Sequence, residues 1–227
     1  LNDECGTCQN NPRQNYKMMI SGFSEELDLD KIPVLEEFYS IQGEGYNTGK
    51  AAYFIRIGGC DLGCRWCDSK ETWKPEIHQF VPISDIIKRV KQTPADTIVV
   101  TGGEPLIYNF DAFCDLAHEA NLVLMLETCG AHDFSGKWDW ICLSPKKQKP
   151  PKYEYFELAD ELKVIIFEED DFLWAENCSN KVTSNCVLFL QPEWSKFIKN
   201  GKKVVEYVKN NTKWNVSLQV HKFLKIP

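Results

Sequence analysis

The sequence lacks long apolar runs and an excess of basic residues. No apolar run approaches the roughly 18 residues of a membrane-spanning helix, so we expect no membrane association. Lys and Arg number 26 against 33 Asp and Glu, a net charge of −7, which argues against broad binding of nucleic-acid phosphates. Residues 1–14 are polar and lack the apolar core of a signal peptide. These absences predict a cytoplasmic protein that binds neither membrane nor nucleic acid.

Cysteine, by contrast, is abundant, with 10 among 227 residues. A cytosolic chain of this length can bury a full core without disulfides, so such a count indicates metal ligation or catalysis. The alternative is a set of buried, unreactive thiols. We expect that role for five of the ten: Cys114, Cys129, Cys142, Cys178 and Cys186.

Strand-like apolar runs alternate with helical patterns from about residue 31 onward. Helical spacing marks 83–90, 110–117 and 194–208, the last with an expected interruption near Gly201. The alternation predicts a parallel α/β fold. Because a closed eight-fold barrel takes about 250 residues, we expect an incomplete TIM-like βα barrel with its site at the carboxyl ends of the strands. The strand-like runs are 33–38, 52–57, 97–100, 122–126, 138–143, 162–167, 186–190 and 216–220.

The domain organisation is predicted to be simple. Residues 1–30 look like a flexible N-terminal appendage whose one chemical feature is the pair Cys5 and Cys8, and residues 31–227 are expected to form one domain. The basic, proline-rich stretch 145–152 is more typical of a loop than of a linker between domains.

Three cysteines stand directly after an expected strand in a C-x3-C-x2-C motif, at Cys60, Cys64 and Cys67. Nearby glycines give the backbone the freedom to wrap around one inorganic centre. Structural zinc needs four ligands, whereas an iron–sulfur cube held by three cysteines keeps one iron open for a small ligand. A zinc site completed by the two N-terminal cysteines, or three unrelated thiols, is the alternative interpretation.

This triplet, with Trp66 before its last cysteine, resembles the motif of the radical S-adenosylmethionine (SAM) superfamily. The resemblance implies a [4Fe-4S] cluster that binds SAM at its open iron, donates an electron and yields a 5′-deoxyadenosyl radical. The segment TGGEP at 101–105 resembles the part of that family that binds the SAM ammonium group, which carries over to Gly103. By itself GGEP could be a simple strand-to-helix turn, and SPK at 144–146 is uninformative alone.

A closer resemblance covers about residues 31–227. FYSIQGEG at 38–45, CDxxCxWCDS at 60–69, TGGEP, SPK and HK at 221–222 together are similar to the 7-carboxy-7-deazaguanine synthase family. That resemblance implies a lyase that converts 6-carboxy-5,6,7,8-tetrahydropterin to 7-carboxy-7-deazaguanine with release of ammonia, in the biosynthesis of queuosine and related nucleosides. It also implies a homodimer and a reducing partner such as flavodoxin or ferredoxin.

The same resemblance assigns expected roles to individual residues. Arg56 suits a bidentate grip on the substrate carboxylate, although a structural ion pair is the alternative. Glu127 is a candidate acid or base for the ring rearrangement, and His221 matches a family position near the substrate. The expected substrate contacts are Ile41, Gln42, Gly43, Glu44, Arg56, Thr101 and Pro227.

The cofactor and metal contacts follow from the same motifs. Ser69 stands where the family has a threonine that ligates Mg²⁺, and it keeps the hydroxyl that such a ligand needs. The expected SAM contacts are Trp66, Asp68, Gly103, Ser144, Pro145, Lys146 and Gln191, with Lys163 as a weaker candidate.

Two other functions share parts of this pattern. An enzyme that activates a glycyl-radical partner would carry the same cysteine triplet and would need a protein-docking face. A non-enzymatic iron–sulfur or zinc module would carry the cysteines without reductive SAM cleavage. The segment IQGEG at 41–45 favours the deazaguanine synthase interpretation, because radical enzymes in general do not carry it.

Overall fold

A computed structural model describes residues 30–74 and 79–227. The predicted N-terminal appendage, with Cys5 and Cys8, lies outside the described residues apart from Asp30. None of the helices in the described ranges is long and apolar enough to cross a membrane.

Nine strands alternate with six helices along the described chain. The helices are α1 (Ile83–Val90), α2 (Asp111–Glu119), α3 (Glu154–Leu158), α4 (Asp171–Ser179), α5 (Phe197–Asn210) and α6 (Val220–Leu224). The strands are β1 (Lys31–Ile41), β2 (Ala51–Ile57), β3 (Gln79–Pro82), β4 (Thr97–Gly102), β5 (Val123–Thr128), β6 (Trp140–Leu143), β7 (Glu161–Ile166), β8 (Val187–Pro192) and β9 (Trp214–Val216).

All nine strands belong to one sheet, in the order β3-β1-β2-β4-β5-β6-β7-β8-β9. The strands from β2 through β4 to β9 run parallel in chain order, and β1 pairs antiparallel with both β2 and β3. The two end strands of this order, β3 and β9, do not pair with each other, so the barrel is open. The predicted incomplete βα barrel is confirmed.

One contact shows that the sheet curves strongly. Lys163 Nζ on β7 lies 2.6 Å from Glu44 Oε2, just after β1. Five strand spacings separate β1 from β7 in the sheet order, or about 24 Å if the sheet were flat. The sheet therefore wraps around an interior, and its inner face points into that interior.

The period-two alternation of side chains divides each strand between two environments. Residues such as Ile55, Val100, Leu126 and Val164 face the helices and form the main buried core. Their neighbours point to the inner face, where polar side chains are concentrated: Arg56, Thr101, Glu127 and Lys163. The alternation that builds the core thus also places the polar residues in the barrel interior.

Two predictions of local structure were wrong. The run at 216–220 is not a strand, because β9 ends at Val216 and α6 begins at Val220. Helix α5 continues through Gly201 without interruption. The side chain of Asn200 donates a hydrogen bond of 3.0 Å to the carbonyl of Ile166, and such packing outweighs the cost of about 1 kcal/mol for glycine in a helix.

Four elements were not predicted: β3, α3, α4 and α6. Strand β3 has only four residues, with Gln79 and Phe80 exposed, so it carries no alternating pattern. The five cysteines expected to be buried outside the triplet are buried, as predicted.

Candidate active site

The carboxyl ends of the parallel strands surround an open cavity of about 240 Å³. Side chains from β2, β4, β5, β7 and β8 reach it, together with the loops that follow β1 and β6 and the C-terminal segment. Every predicted site residue lines this cavity except Pro145, whose two neighbours both do. They are Ile41, Gln42, Gly43, Glu44, Arg56, Cys60, Cys64, Trp66, Cys67, Asp68, Ser69, Thr101, Gly103, Glu127, Ser144, Lys146, Gln191, His221 and Pro227, with Lys163 as well.

The three cysteines of the motif lie on a loop that begins where β2 ends. Cys64 is buried, while Cys60 and Cys67 are half-buried, and all three are free thiols. Burial raises the pKa of Cys60 to about 12 and also raises the pKa of Cys64. A metal centre would have to displace these protons, because the thiolate is the ligand.

The number of these thiols bears on the centre that they could hold. In the described ranges, no group of three or more His, Cys, Asp or Glu side chains is arranged to hold a single metal ion, the triplet included. Three cysteines can fill three ligand positions of an iron–sulfur cube and leave one iron open, whereas structural zinc needs a fourth ligand.

The TGGEP segment, which begins with the last two residues of β4, packs against the cysteine loop. A Cβ at Gly103 would lie far inside van der Waals contact of the Gly59 carbonyl oxygen. The next residue, Glu104, donates its backbone N–H to that same carbonyl at 2.9 Å. Its buried carboxylate accepts hydrogen bonds from the side chain of Thr128 and the backbone of Cys129. Glycine is therefore required at 103 because two backbone segments meet there.

A connected polar network covers the inner face beside this loop. Gln42 donates from Nε2 to Glu127 Oε1 at 3.1 Å, and Thr101 donates from Oγ1 to Glu127 Oε2 at 3.0 Å. Gln42 Oε1 accepts the backbone N–H of Glu44 at 3.1 Å. Lys163 Nζ lies 2.6 Å from Glu44 and 3.6 Å from Glu127. The Lys163 ammonium thus pairs with two carboxylates, Glu127 on β5 and Glu44 in the loop after β1.

The surroundings of Lys163 and Glu44 favour the ionised form of each despite burial. The Lys163 side chain is only 4% exposed, and burial alone would favour its neutral form. Acidic groups around it, Cys142 first and then Glu127, Glu44 and Glu161, outweigh that effect and raise the pKa of Lys163. Burial likewise disfavours the Glu44 carboxylate, but Lys163 and hydrogen bonds from Lys163 and Gln219 lower its pKa to about 2.

Arg56 lines the cavity while making an ion pair of its own. Its Nε lies 2.6 Å from Glu36 Oε1, and Nη1 donates to Ser69 Oγ at 3.3 Å. The structural ion pair considered as the alternative role is therefore present. Because Arg56 has five N–H donors, donors remain for a further anion.

Asp68 and Ser69 sit where the cysteine loop meets the C-terminal segment. Lys222 Nζ lies 2.6 Å from Asp68 Oδ2, and the nearby Gln219 amide donates to the same oxygen at 3.2 Å. Burial raises and these two partners lower the pKa of Asp68, with a net decrease. The Ser69 hydroxyl faces the cavity within 3.5 Å of Asp68 Oδ1.

Three of the predicted SAM contacts, Trp66, Ser144 and Lys146, lie close together. Lys146 Nζ lies 5.6 Å from the centre of the Trp66 ring and donates to Ser144 Oγ at 2.7 Å. Gln191 is buried, and its Oε1 accepts the Ser217 hydroxyl at 2.6 Å. These residues supply the cavity with an aromatic face, a cation and polar groups.

The C-terminal segment covers the cavity from the open side of the barrel. His221 packs so closely on Gly43 that a Cβ there would collide with the imidazole. Burial lowers the pKa of His221. At the end of the chain, the Pro227 carbonyl oxygen accepts the Ser40 hydroxyl at 3.5 Å.

Comparison with known proteins connects this geometry to a family. Residues 41–135 match the model of a 4Fe-4S single cluster domain. The 7-carboxy-7-deazaguanine synthase of Flavobacterium psychrophilum is 52% identical over 198 residues, which cover 87% of this chain and 94% of that protein. The synthase of the same name from Synechocystis is 40% identical over 92% of this chain and all of that protein. The chain belongs to the 7-carboxy-7-deazaguanine synthase family.

A solved structure agrees with this membership. The crystal structure of QueE from Escherichia coli covers 88% of this chain and is itself covered completely, with a TM-score of 0.76 at 27% identity. The open barrel is therefore the fold of a radical SAM enzyme of this family.

Within this 7-carboxy-7-deazaguanine synthase family member, sequence reasoning missed two contributors to the site. Gln219 bridges Glu44 and Asp68, and Lys163, considered only as a weak SAM contact, pairs with two carboxylates instead. A lone glutamine near the C-terminus carries no local signal. The pairing of Lys163 could have been predicted from the sequence, because a lysine inside an apolar strand implies a buried partner.

Proposed function

We propose that this chain converts 6-carboxy-5,6,7,8-tetrahydropterin to 7-carboxy-7-deazaguanine with release of ammonia, as a radical SAM lyase. One observation carries the proposal: a single cavity joins the three-cysteine loop to the buried Lys163–Glu44–Glu127 group. The inner wall of the cavity offers amide, carboxylate and ammonium partners to a small, polar heterocycle.

The residues present fit a [4Fe-4S] cluster and SAM. Cys60, Cys64 and Cys67 would hold the cluster, and Gly103 would present bare backbone to the SAM ammonium group. Trp66, Ser144, Lys146 and Gln191 would contact the rest of SAM, with Pro145 supporting the loop and Asp68 placed beside the last cysteine. When bound, the cluster supplies the electron for reductive cleavage of SAM, which begins the radical chemistry.

The substrate would lie against the polar network on the inner face. Gln42 and Glu44 offer an amide and a carboxylate to the pterin edge, with backbone groups of Ile41 and Gly43 alongside. The free N–H donors of Arg56 would take the substrate carboxylate. Thr101 and the C-terminal Pro227 complete this wall in the proposal.

Release of ammonia requires a proton to reach the leaving nitrogen, so the site needs a proton carrier. We assign that role to Glu127, which lines the cavity and accepts hydrogen bonds on both oxygens. Lys163 holds its proton firmly and therefore acts as a fixed cation beside Glu127. His221, whose pKa is lowered by burial, would contact the substrate as a neutral imidazole.

The Ser69 hydroxyl would ligate Mg²⁺, with substrate and water completing the shell. A reducing protein such as flavodoxin or ferredoxin would supply the electron, and the chain would act in the cytoplasm as a homodimer. Sedimentation equilibrium of the purified protein tests the dimer directly.

Anaerobic reconstitution with iron and sulfide tests the central proposal. The loaded protein is assayed with the carboxytetrahydropterin, SAM, Mg²⁺ and a chemical reductant, and the product is identified by mass spectrometry. We expect deazaguanine product and equimolar ammonia. A cluster-loaded protein that makes no such product would overturn the proposal, and SAM cleavage indifferent to the pterin would favour activation of a glycyl-radical partner.

A further inference from the structure

The loop that follows β6 packs directly on the cysteine loop. Its Gln148 places Nε2 at 2.9 Å from Cys64 Sγ, within hydrogen-bond distance for a sulfur acceptor. Cys64 is 7% exposed, whereas the outer side of Gln148 is open to solvent. A neutral amide from a distant part of the chain therefore points at one of the three predicted cluster ligands.

The other two cysteines of the motif, Cys60 and Cys67, accept hydrogen bonds from backbone groups. The backbone N–H of Ser69 lies 3.4 Å from Cys67 Sγ, and the backbone of Leu62 contacts Cys60. Within the described ranges, Gln148 is the side chain that donates a hydrogen bond to this triplet. It is thus a donor that substitution can remove without changing the backbone of the cysteine loop.

The position of Gln148 is fixed by contacts on both sides of it. Lys149 Nζ lies 2.5 Å from Asp61 Oδ2, and His132 Nε2 lies 3.1 Å from Asp61 Oδ1, so the carboxylate beside Cys60 is gripped by two loops. Lys146 and Lys149 form a β-bridge that closes the loop around Gln148. These contacts fix the loop that carries Gln148, and the hydrogen bond to Cys64 is the contact made by its amide.

We propose that Gln148 raises the reduction potential of the cluster by donating a hydrogen bond to the Cys64 thiolate. Reduction adds negative charge to the cluster and its sulfur ligands. An N–H donor stabilises that added charge, and hydrogen bonds to the sulfurs are among the factors that set the potential of such centres. This inference rests on the proposed cluster ligation, but it requires no particular substrate.

The test replaces the amide by a side chain of similar length that has no donor. Gln148→Met removes the N–H, and Gln148→Glu replaces it by a negative charge. Gln92→Met is the matched control, because Gln92 is exposed and lies where the chain approaches the start of β4, at the opposite end of the sheet from the cavity. Each reconstituted protein is titrated with reductant, and the reduced cluster is followed by electron paramagnetic resonance.

We expect a more negative midpoint potential for Gln148→Met than for wild type at equal iron content. Gln148→Glu should shift it further in the same direction, and Gln92→Met should leave it unchanged. Coincident midpoint potentials for wild type and Gln148→Met would overturn the inference. A chain that assembles no cluster would overturn it together with the ligand assignment.

A second measurement detects the hydrogen bond in the wild-type protein itself, and the variant serves to assign the signal. Wild-type protein labelled with ¹⁵N in its glutamine side-chain amides should show a weak ¹⁵N coupling to the reduced cluster in pulsed resonance spectra. The same coupling should be missing from labelled Gln148→Met, and its absence from wild type would contradict the hydrogen bond. A protein that shows the coupling yet makes no deazaguanine would refute the proposed function alone.

Discussion

Gln219 donates a hydrogen bond of 2.8 Å to Glu44, although the two residues are 175 positions apart in the chain. The same amide nitrogen lies 3.2 Å from Asp68 Oδ2. Nearby, the Val220 N–H donates to the Gly43 carbonyl at 2.9 Å, and Ser217 Oγ accepts the Gly45 N–H. The segment after β9 thus spans the open side of the barrel and fastens the loop after β1.

Replacing Gln219 by leucine should weaken substrate binding. The largely buried Glu44 and the half-exposed Asp68 would lose a shared donor, and a hydrogen bond to a charged group contributes roughly 1.5–3 kcal/mol. We expect the KM for the pterin to rise roughly 10-fold or more, with iron content unchanged. Steady-state kinetics measures this, with Gln92→Leu on the exposed surface as the control. An unchanged KM at full cluster loading would show that Gln219 does not support the site.

Replacing Lys163 by methionine should strongly destabilise the fold. Glu44 and Glu127 would then lack their cation, and breaking a buried pair by removing one partner costs roughly 3–5 kcal/mol. Urea denaturation of the metal-free protein measures the loss. The double variant Lys163→Met with Glu44→Gln should recover part of it, since one uncompensated charge is removed. A double variant as unstable as the sum of both singles would contradict the pairing.

The same pair predicts how stability responds to acid. The pKa of Glu44 in the fold is about 2, below its ordinary value of 4.5, so its ionised form stabilises the fold. That contribution, up to about 3 kcal/mol, is complete above pH 4.5 and is lost as the pH falls toward 2. Glu44→Gln should therefore lower the free energy of unfolding at pH 6 and flatten its fall across this window. If the free energy of unfolding falls by the same amount in both proteins across this pH window, Glu44 is not the source of the acid sensitivity.

Removing the Ser69 hydroxyl should affect magnesium and leave the cluster intact. The backbone N–H that donates to Cys67 remains in Ser69→Ala, whereas the proposed Mg²⁺ ligand is lost. We expect the Mg²⁺ concentration for half-maximal activity to rise roughly 10-fold, and Ser69→Thr should restore wild-type behaviour. Activity is measured against Mg²⁺, with the iron–sulfur absorbance in parallel. Loss of that absorbance in Ser69→Ala would contradict the assignment.

Local sequence was sufficient where a pattern is dictated by burial or by backbone geometry. The run of apolar residues in β4 and the helical spacing of α1 predicted both elements, because each pattern reflects which face meets the core. The cysteine loop and TGGEP were located because their glycines and thiols stand together in the chain. Contacts between distant segments could not be located this way: nothing beside Gln219 or Gln148 indicates that one meets Glu44 and the other Cys64.

Substitution of Gly103 tests the close contact between the TGGEP segment and the cysteine loop. Alanine there would place a methyl group far inside van der Waals contact of the Gly59 carbonyl oxygen, so one of the two backbone segments must move. Because that carbonyl also accepts the Glu104 N–H, the shift would disturb both the TGGEP turn and the cysteine loop. We expect Gly103→Ala to lower the free energy of unfolding by roughly 1–3 kcal/mol and to reduce iron content after reconstitution.

Gly201→Ala is the matched control for that substitution. At Gly201 an added Cβ meets no atom nearer than 3.7 Å, and the position lies inside α5. Alanine favours a helix interior by about 0.5–1 kcal/mol over glycine, so this variant should be more stable than wild type and load iron normally. If the close backbone approach is what requires glycine at 103, urea denaturation should show a lower free energy of unfolding for Gly103→Ala and a higher one for Gly201→Ala. Iron analysis should show a loss of iron in Gly103→Ala alone. Equal stabilities for Gly103→Ala and wild type would mean that the contact with Gly59 does not restrict the side chain there.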